Sequence, residues 1–376
     1  MWSQTDRDFM RRALELAKMG RYTTSPNPCV GCVIVRDGNI IGEGYHHKAG
    51  QPHAEINAIA DAGGNVEGAT VYVTLEPCSH YGKTPPCASK LVELKVKRVV
   101  VAVEDPNPLV RGKGIKILQE HGIEVSVGLM ARKASNLNRR FFKSVVTKTP
   151  YVTVKLGMSL DAKVALKDGT SQWITNSTSR SHVQQLRAGC DAIISSVNTV
   201  LADNPGLNVR YPELPAKVRR TYDEKTLRQP LKIILDSNGK LEKRIDEFKL
   251  FKEGQTLLVM VAPKQSALKP VNKNVKFLYL YSEGKKVDLR ELLAYLGTIQ
   301  IRSVLVEAGA NLACEFIDQD LCDELVCFVS PKILGRNAQS AFLTRDLKDL
   351  DQKDRFRLAK AKKLKGDICL RYLRRE

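Results

Sequence analysis

Residues 74–87 read TLEPCSHYGKTPPC and continue an apolar run that begins at Val71. The run from Val71 to Leu75 is typical of a buried strand, so Cys78 lies three residues after the end of a predicted strand. Eight residues then separate Cys78 from Cys87. Two cysteines at a strand end indicate either ligands of a metal ion or packed core thiols.

A second motif, Pro52-His53-Ala54-Glu55, opens a predicted helix. One imidazole and two thiolates can hold a catalytic zinc ion and leave its fourth position to water, which makes His53, Cys78 and Cys87 the candidate ligands. Glu55 is then available to move protons, and the combination predicts hydrolytic deamination of a nucleobase-like ring. His53 and Glu55 converge only if His53 lies at the very start of the helix. The alternative is that His53 caps the helix and both cysteines are buried.

The composition indicates a folded protein of several domains. At roughly 150 residues per domain, 376 residues correspond to about two to three domains. The hydrophobic fraction of 43% and charged fraction of 27% are ordinary for globular proteins, which excludes extended disorder. The first twenty residues carry charges where an export signal would be apolar, and no apolar run is long enough to span a bilayer. We therefore expect a cytoplasmic protein with reduced cysteines and no membrane partner.

The net charge of +19 raises the question of nucleic acid. The basic residues are diffuse, apart from Lys217 to Arg220 and the tail from Arg355 to Arg375, and leucines in the tail suggest a packed terminal element. An alternative function is a nucleic-acid base deaminase whose basic C-terminal half binds RNA. That function needs aromatic side chains among basic ones, yet aromatics make up 6% and interleave with basic residues only at 139–143. We expect no nucleic-acid partner.

Helix and strand patterns alternate along both halves of the chain, which predicts two layered α/β domains. The pattern resets at the polar connector Thr147-Lys148-Thr149-Pro150. The expected bounds are a deaminase domain over residues 1–146, a linker over 147–150 and a second domain over 151–376. Helices are predicted near residues 9–19, 54–60, 88–94, 114–121, 181–188, 289–296 and 312–318, and strands near 29–35, 71–75, 98–103, 123–127, 151–156, 192–196, 232–235, 256–261, 275–280, 303–307 and 324–329.

The 74–87 run, with Pro26-Asn27-Pro28 and Val30-Gly31 upstream, resembles the bifunctional deaminase/reductase of riboflavin biosynthesis. The resemblance implies a cytidine-deaminase-like three-layer α/β/α domain joined to a dihydrofolate-reductase-like α/β domain. It implies a phosphorylated pyrimidine substrate, a diaminopyrimidinone with a phosphoribosylamino group, which is deaminated at a Zn²⁺ site to the uracil. By position, it implies zinc ligands at His53, Cys78 and Cys87, a proton carrier at Glu55, and substrate contacts at Asn27, His46, His80 and Lys83.

The second half contains no Gly-x-Gly-x-x-Gly after a predicted strand. Residues 304–312 combine an apolar strand, a small-residue turn and a helix start, although a plain strand-to-helix turn would look the same. This half resembles the reductase half of the same family, which implies NADPH as cofactor, and the family suggests a homo-oligomer. By position, the implied cofactor contacts are Gly157, Trp173, Thr199, Asp203, Ser237, Gly309, Ala310, Asn311, Leu312, Ala313, Cys314 and Glu315. The implied substrate contacts are Ser171, Arg187, Leu207, Arg210 and Glu307.

The residue types suit reduction of a ring-opened ribosylamine, in which hydride adds to an imine carbon and the nitrogen gains a proton. Arg187 and Arg210 are candidates for gripping the phosphate, and Lys155, Asp203 and Glu307 for orienting sugar hydroxyls or moving the proton. Glu307 lies at the carboxyl end of a predicted strand, where open α/β sheets bind ligands. Three simpler interpretations stay open: a solvated strand face for Lys155, a turn for Asp203 and core packing for the tryptophan at 173. A reductase half that has lost its activity is a further alternative.

Overall fold

Two units of α/β structure divide the chain, Met1–Lys148 and Thr149–Glu376. The computed structural model describes residues 2–79, 86–108, 110–262, 264–349 and 354–375. No helix among these residues is both long enough and apolar enough to cross a lipid bilayer.

The first unit is a five-stranded sheet with helices on both faces. Its helices are α1 (Gln4–Met19), α2 (Ala54–Asp61), α3 (Cys87–Glu93), α4 (Lys113–Glu120) and α5 (Ala131–Thr147), and its strands are β1 (Gly31–Arg36), β2 (Asn39–Tyr45), β3 (Thr70–Val73), β4 (Arg98–Val101) and β5 (Glu124–Val127). The strand order is β2-β1-β3-β4-β5, with β3, β4 and β5 parallel and β1 antiparallel to both of its neighbours. The three-layer α/β/α architecture expected for this half is present.

Alternating side chains along β1 supply both cores of the first unit, as the two-residue period of a strand dictates. Ile34 packs with residues of α2, α3 and α4 on one face of the sheet. Val33 packs with residues of α1 and α5 on the other face. Gly31 allows α1 to approach β1 closely, because a Cβ at this position would lie 2.0 Å from the Ala13 carbonyl oxygen.

A buried carboxylate secures the start of α1. The Asp6 carboxylate accepts hydrogen bonds from the Ser3 backbone and hydroxyl, at 3.0 and 2.7 Å, and the Ser3 hydroxyl accepts from the Asp6 amide, which completes a capping box. Asp6 Oδ1 also accepts from the Tyr72 hydroxyl at 2.8 Å and from Arg98 Nη1 at 3.1 Å. One side chain therefore joins the first turn of α1 to strands β3 and β4.

The second unit is built on a ten-stranded sheet. Its helices are α6 (Ser177–Ala188), α7 (Val197–Asp203), α8 (Ala216–Arg219), α9 (Lys249–Lys252), α10 (Leu289–Thr298) and α11 (Ala310–Asp318). Its strands are β6 (Tyr151–Met158), β7 (Lys163–Ala165), β8 (Ala192–Ser196), β9 (Leu231–Leu235), β10 (Thr256–Ala262), β11 (Ala267–Pro270), β12 (Val275–Tyr281), β13 (Ser303–Val306), β14 (Glu324–Val329), β15 (Gln339–Ser340), β16 (Phe356–Leu364) and β17 (Asp367–Arg374).

The large sheet has the order β11-β12-β10-β9-β8-β13-β6-β14-β17-β16, and the seven strands from β12 to β14 in this order are parallel. Helices α10 and α11 cover one face, and α6, α7 and α9 contribute to the clusters on the other. Strand β13 enters between β8 and β6, although it follows both of them in the chain. The carboxyl ends of β6, β8, β9 and β13 thus come together at one edge of the sheet, the usual location of ligands in such folds.

The tail is a packed terminal element, as the sequence suggests, and its structure is a hairpin. Strand β17 pairs antiparallel with β14, and β16 pairs antiparallel with β17 at the sheet edge. The lysines at 360, 362 and 363 lie on this exposed edge strand, where charge opposes pairing with another chain.

We predict that Asp6→Asn lowers the free energy of unfolding of the first unit by about 1–3 kcal/mol at pH 7, since it weakens several hydrogen bonds to a buried carboxylate. Burial raises the pKa of Asp6, but the hydrogen bonds from Ser3 and Tyr72 and the charge of Arg98 outweigh this and lower it. Because the pKa of Asp6 is lower in the folded state than in the unfolded state, the ionised carboxylate stabilises the fold at pH values above the unfolded-state pKa, near 4. This stabilisation is lost as the pH falls through the folded-state pKa. The difference between variant and parent should therefore shrink below about pH 4.

Hydrogen exchange on peptides from α1 measures this effect without contribution from the second unit. Asp8→Asn is the matched control, because Asp8 lies on the same helix, is about half exposed and pairs with Arg11 at the surface. Equal protection in the two variants would contradict the prediction.

Candidate active sites

The three candidate metal ligands come from two helix starts and one strand end. His53 is the N-cap residue of α2, with extended backbone angles of φ −73° and ψ 168°, so the predicted position at the helix start is confirmed. Cys87 is the first residue of α3, and Cys78 lies beyond the end of β3. The Cys87 amide donates a hydrogen bond to Cys78 Sγ at 3.2 Å, which links the two cysteine segments.

The ligand atoms are spaced as a single zinc ion requires. Cys78 Sγ lies 3.5 Å and Cys87 Sγ 3.4 Å from His53 Nδ1, and the three atoms lie within 4.8 Å of one another. In a tetrahedral site with Zn–S near 2.3 Å and Zn–N near 2.0–2.1 Å, sulfur and nitrogen are about 3.6 Å apart. The hydrogen bond between the two thiols lowers the pKa of Cys78 and raises the pKa of Cys87, so the pair favours one thiolate, at Cys78. Geometry and donor chemistry therefore fit zinc.

Glu55 lies in the first turn of α2 and is buried. Burial raises the pKa of its carboxyl group to about 7, and a hydrogen bond connects it to the thiol of Cys87. The carboxyl group thus lies beside the candidate ligands and is held away from bulk solvent. This is the position that a proton carrier for a bound reactant needs.

Asn27 and His46 extend the site beyond the ligands. The rings of His46 and His53 meet edge to face, with centroids 5.3 Å apart. His46 is buried, its Nδ1 lies 3.0 Å from the Pro52 carbonyl oxygen, and its Nε2 lies 3.0 Å from Asn27 Nδ2. Both ring nitrogens are therefore engaged within the protein. His80 and Lys83, the other two predicted substrate contacts, lie outside the described residues.

A cavity of about 1430 Å³ opens at the carboxyl ends of the parallel strands in the second unit. This volume exceeds the roughly 300–1,000 Å³ of a typical small-molecule site, as expected if a cofactor and a substrate bind together. The predicted residues that line it are Lys155, Gly157, Ser171, Trp173, Arg187, Thr199, Asp203, Leu207, Arg210, Ser237, Glu307, Gly309, Ala310, Asn311, Leu312 and Glu315.

Ala313 and Cys314 do not line this cavity. Both are buried on the inner side of α11, and Cys314 Sγ accepts a hydrogen bond from the Leu343 amide at 3.0 Å. A helix with 3.6 residues per turn can present only some of seven successive residues to one side. The predicted continuous contact from Gly309 to Glu315 is therefore interrupted at these two positions.

Glu307 is the electrostatic centre of the cavity. Arg187 donates to its two carboxylate oxygens at 2.6 and 3.0 Å, and Lys155 Nζ lies 3.5 Å from Oε2. Burial would raise the pKa of Glu307, but the charges of Arg187 and Lys155 outweigh this and lower it to about 2. Burial raises the pKa of Asp203, and the charge of Lys155 opposes the shift. Lys155 thus contacts Glu307 and acts on Asp203 through its charge, rather than lying on a solvated strand face.

The second predicted arginine and the tryptophan are more exposed. Arg210 forms a bidentate contact with Glu213, and both side chains are 45% exposed. Trp173 is 59% exposed, which excludes core packing. The Arg180 guanidinium lies over its ring at 4.3 Å, and this cation–π contact holds the indole at the cavity wall.

Sequence reasoning missed several lining residues. Arg180 and Gln184 precede Arg187 on α6 at intervals of four and three, so they share its face, and helical periodicity could have identified them. Lys240, Lys285 and Lys286 lie in loops that follow β9 and β12, and no motif marks them.

Comparison with known proteins finds one family for each half of the chain. The cytidine and deoxycytidylate deaminase zinc-binding region family matches residues 3–103, and the RibD C-terminal domain family matches residues 150–370. The chain is 45% identical to riboflavin biosynthesis protein RibD of Haemophilus influenzae over 372 residues, which cover 99% of this chain and 98% of that protein. It is 44% identical to the RibD protein of Escherichia coli, with 97% and 98% covered.

The chain belongs to the RibD family. Among solved structures, Acinetobacter baumannii RibD superposes with a TM-score of 0.88 at 42% identity, with 99% of each chain covered. A Thermotoga maritima protein described as a diaminohydroxyphosphoribosylaminopyrimidine deaminase/5-amino-6-(5-phosphoribosylamino)uracil reductase superposes with a TM-score of 0.85 at 34% identity, again over 99% of each chain.

Family membership settles the nature of the two halves. The first is a zinc-dependent deaminase unit, and the second is an NADPH-dependent reductase unit with a dihydrofolate-reductase-like fold. The chain is a bifunctional enzyme of riboflavin biosynthesis. The alternative of an RNA-binding C-terminal half is not favoured, because residues 150–370 match a reductase domain instead.

We predict that Cys78→Ala removes stoichiometric zinc from the purified chain, since two ligands hold the ion far less firmly than three. Cys29→Ala is the matched control: Cys29 is a buried thiol of the same unit outside the ligand set, and its sulfur lies 3.5 Å from the Thr24 hydroxyl. Metal analysis after gel filtration should find about one zinc per control chain and almost none in the variant. Equal zinc in both variants would rule out Cys78 as a ligand.

Proposed function

We propose that the chain carries out two successive reactions on one phosphorylated pyrimidine, with deamination at the His53, Cys78 and Cys87 site and reduction at the Glu307 cavity. Residues 1–146 carry the first activity and residues 151–376 the second, joined by the linker at 147–150. The single observation that supports the first site best is the convergence of the three ligand atoms beside the buried Glu55. Deamination comes first in this proposal, because the related Thermotoga maritima reductase is named for a uracil substrate.

In the first reaction, water replaces the exocyclic amine of 2,5-diamino-6-(5-phosphoribosylamino)pyrimidin-4-one, so that one C–O bond forms, one C–N bond breaks and ammonia leaves. When bound, zinc supplies a Lewis acid that lowers the pKa of water and provides the nucleophile near neutral pH. Glu55 takes one proton from the attacking water and passes it to the ring nitrogen; it then takes the proton of the newly added hydroxyl group, which becomes the carbonyl, and delivers it to the departing amine.

Asn27 recognises the pyrimidine ring edge in this proposal. Its amide nitrogen donates to His46 Nε2, and this bond turns its carbonyl oxygen away from the histidine. His46 keeps that arrangement because its other nitrogen is bound to Pro52. His46 therefore acts on the substrate through Asn27, while His80 and Lys83 complete the substrate contacts.

We predict that Glu55→Gln retains zinc but lowers ammonia release at least about 100-fold, because the amide cannot carry the proton. The same preparation should still oxidise NADPH when given the deaminated substrate, which shows that the second unit is folded, and its retained zinc shows the same for the first unit. Ammonia and NADPH are followed separately in one coupled assay. Normal ammonia release from this variant would refute the assigned role.

In the second reaction the ribosyl group opens to an imine, its carbon accepts hydride and its nitrogen accepts a proton. When bound, NADPH supplies the hydride. The Gly309 backbone and the start of α11 offer free amides to the cofactor phosphates, and a Cβ at Gly309 would meet no atom within 4 Å, so the approach is open. Trp173, Thr199 and Ser237 contact the remainder of the cofactor.

The two arginines serve this reaction differently. Arg210 can exchange Glu213 for the substrate phosphate at little cost, since exposed ion pairs contribute only about 0–1 kcal/mol. Arg187 would leave the buried Glu307 carboxylate with only its longer contact to Lys155 if it moved, at a cost of up to about 3–5 kcal/mol. Arg187 therefore keeps Glu307 in place, and Arg210 meets the phosphate. Ser171 and Leu207 complete the substrate contacts.

We predict that Lys155→Met lowers kcat for NADPH oxidation at least about 100-fold, because it removes the cation that contacts Glu307 and whose charge acts on Asp203. Lys163→Met is the control, since Lys163 bonds Ser340 beside the cavity and lies outside its lining. NADPH binding, read from quenching of Trp173 fluorescence, should change little in either variant. Thermal protection of the second unit by NADPH in the parent chain also tests the alternative of an inactive reductase half.

A cytoplasmic location, a homo-oligomeric assembly and the absence of a nucleic-acid partner are parts of this proposal. Sedimentation of the purified chain and gel-shift assays with RNA test the last two.

A further inference from the structure

Glu76 is a buried acid that neither proposed reaction uses, and it lies two residues before the ligand Cys78. Its carboxylate accepts four backbone hydrogen bonds. Oε2 accepts from the amides of Asp105 and Gly112, at 3.1 and 3.0 Å, and Oε1 accepts from those of Gly114 and Ile115, at 2.9 and 3.4 Å.

Most of these donors belong to the start of helix α4. Gly112 is the N-cap residue, in a left-handed conformation with φ +73°, and it has no side chain that could cap the helix. The first amides of a helix lack partners within the helix and carry partial positive charge, so a carboxylate satisfies them well. Glu76 supplies that cap from a segment 36 residues away in sequence.

The same contact fixes the backbone that leads to the zinc ligand. The Glu76 amide donates to the Val103 carbonyl oxygen at 3.0 Å, and the Cys78 carbonyl oxygen accepts from the Ala88 amide at 3.2 Å. Between these bonds, the Pro77 carbonyl oxygen lies so close to Gly114 that a Cβ there would be 2.0 Å away. The turn from Glu76 to Cys78 therefore lies directly on the start of α4.

We propose that Glu76 is a positioning residue for zinc. Its carboxylate fixes the turn from Glu76 to Cys78 against the start of α4, and this turn holds Cys78 Sγ at ligand distance from His53 and Cys87. The inference rests on the proposed zinc site. Residues that hold metal ligands in place typically change metal affinity about 10–100-fold when they are replaced. A carboxylate that only caps a helix would change stability and leave zinc retention as it was.

Glu76→Gln separates these roles, because it preserves the size of the side chain but replaces one accepting oxygen with an amino group that cannot accept. Asp6→Asn is the matched control: Asp6 is another buried carboxylate that caps a helix of the same unit, and its partners are Ser3, Tyr72 and Arg98 rather than the ligand segment. Both changes weaken one helix start. Only the change at Glu76 acts on the turn that bears Cys78.

The experiment measures the rate at which the zinc-loaded full-length chain transfers zinc to excess chromogenic chelator. We expect release to be about tenfold faster or more from Glu76→Gln and close to the parent rate from Asp6→Asn. Release from Glu76→Gln at the parent or control rate would overturn the proposal. NADPH oxidation normalises the amount of chain in each preparation through the second unit, and the hydrogen exchange of β4 peptides checks that the first unit is folded in both variants.

Two further variants keep the test decisive. If Glu76→Gln does not fold, Glu76→Asp retains the charge but draws the carboxylate back by about 1.5 Å, and release should lie between the parent and Glu76→Gln rates expected above. Parent-rate release from Glu76→Asp would then overturn the proposal. His53→Ala tests the zinc site separately, since unchanged zinc content in that variant refutes the site itself and not the role of Glu76.

Discussion

The deaminase site depends on one constraint: three soft ligand atoms must be held within a few ångströms of each other before any ion is bound. The fold satisfies this constraint by placing the ligand residues at the ends of helices and of a strand, rather than by using long side chains. His53 at the start of α2 and Cys87 at the start of α3 project from helix termini, and Cys78 follows a strand end. Short side chains on fixed backbone have few rotamers to lose, which is why such a site can be preorganised.

In the reductase unit, ion pairs rather than helix and strand ends hold the functional side chains in place. A buried carboxylate is stable only when it is paired, and Glu307 is paired with Arg187 in two hydrogen bonds and with Lys155 in a longer contact. These residues come from β6, α6 and the end of β13, so the ion pairs join three elements at the edge of the sheet where ligands bind. The pairing that stabilises the fold also sets the electrostatics of the cavity.

Periodicity and motif spacing predict much of this structure, and the failures have physical causes. The position of His53 follows from the geometry of a helix start, and the alternation of elements gives the two α/β units. Helix α5 escaped prediction because polar residues occupy part of its buried face: Asn138 lies there with its amide bound to both the amide and the carbonyl of Cys29. An apolar pattern cannot reveal a helix that packs through hydrogen bonds.

The roles of residues that act through tertiary contacts could not be predicted from the sequence either. Glu76 is part of a recognisable motif, yet its partners lie 29 to 39 residues away, and no local pattern connects them. Lys240, Lys285 and Lys286 approach the cavity from separate loops. Sequence patterns identify side chains whose role depends on residues nearby in the sequence. Residues whose role depends on contacts with backbone far away in the sequence can be identified only once the fold is known.

Burial and neighbouring charges together set the pKa values of Asp203 and Glu307, the two carboxylates on which the charge of Lys155 acts. Burial raises the pKa of both Asp203 and Glu307, and Lys155 lowers both. Glu307 also has Arg187, and the charges of Arg187 and Lys155 together lower its pKa to about 2, so it is an anion at neutral pH. Asp203 has no such partner among the described residues, and its pKa stays above the ordinary value. A group that must release a proton to the reduced nitrogen cannot be a permanently ionised carboxylate. Under the proposed reduction, this contrast favours the Lys155 and Asp203 side of the cavity as the source of the proton and leaves Glu307 as the permanent anion beside it.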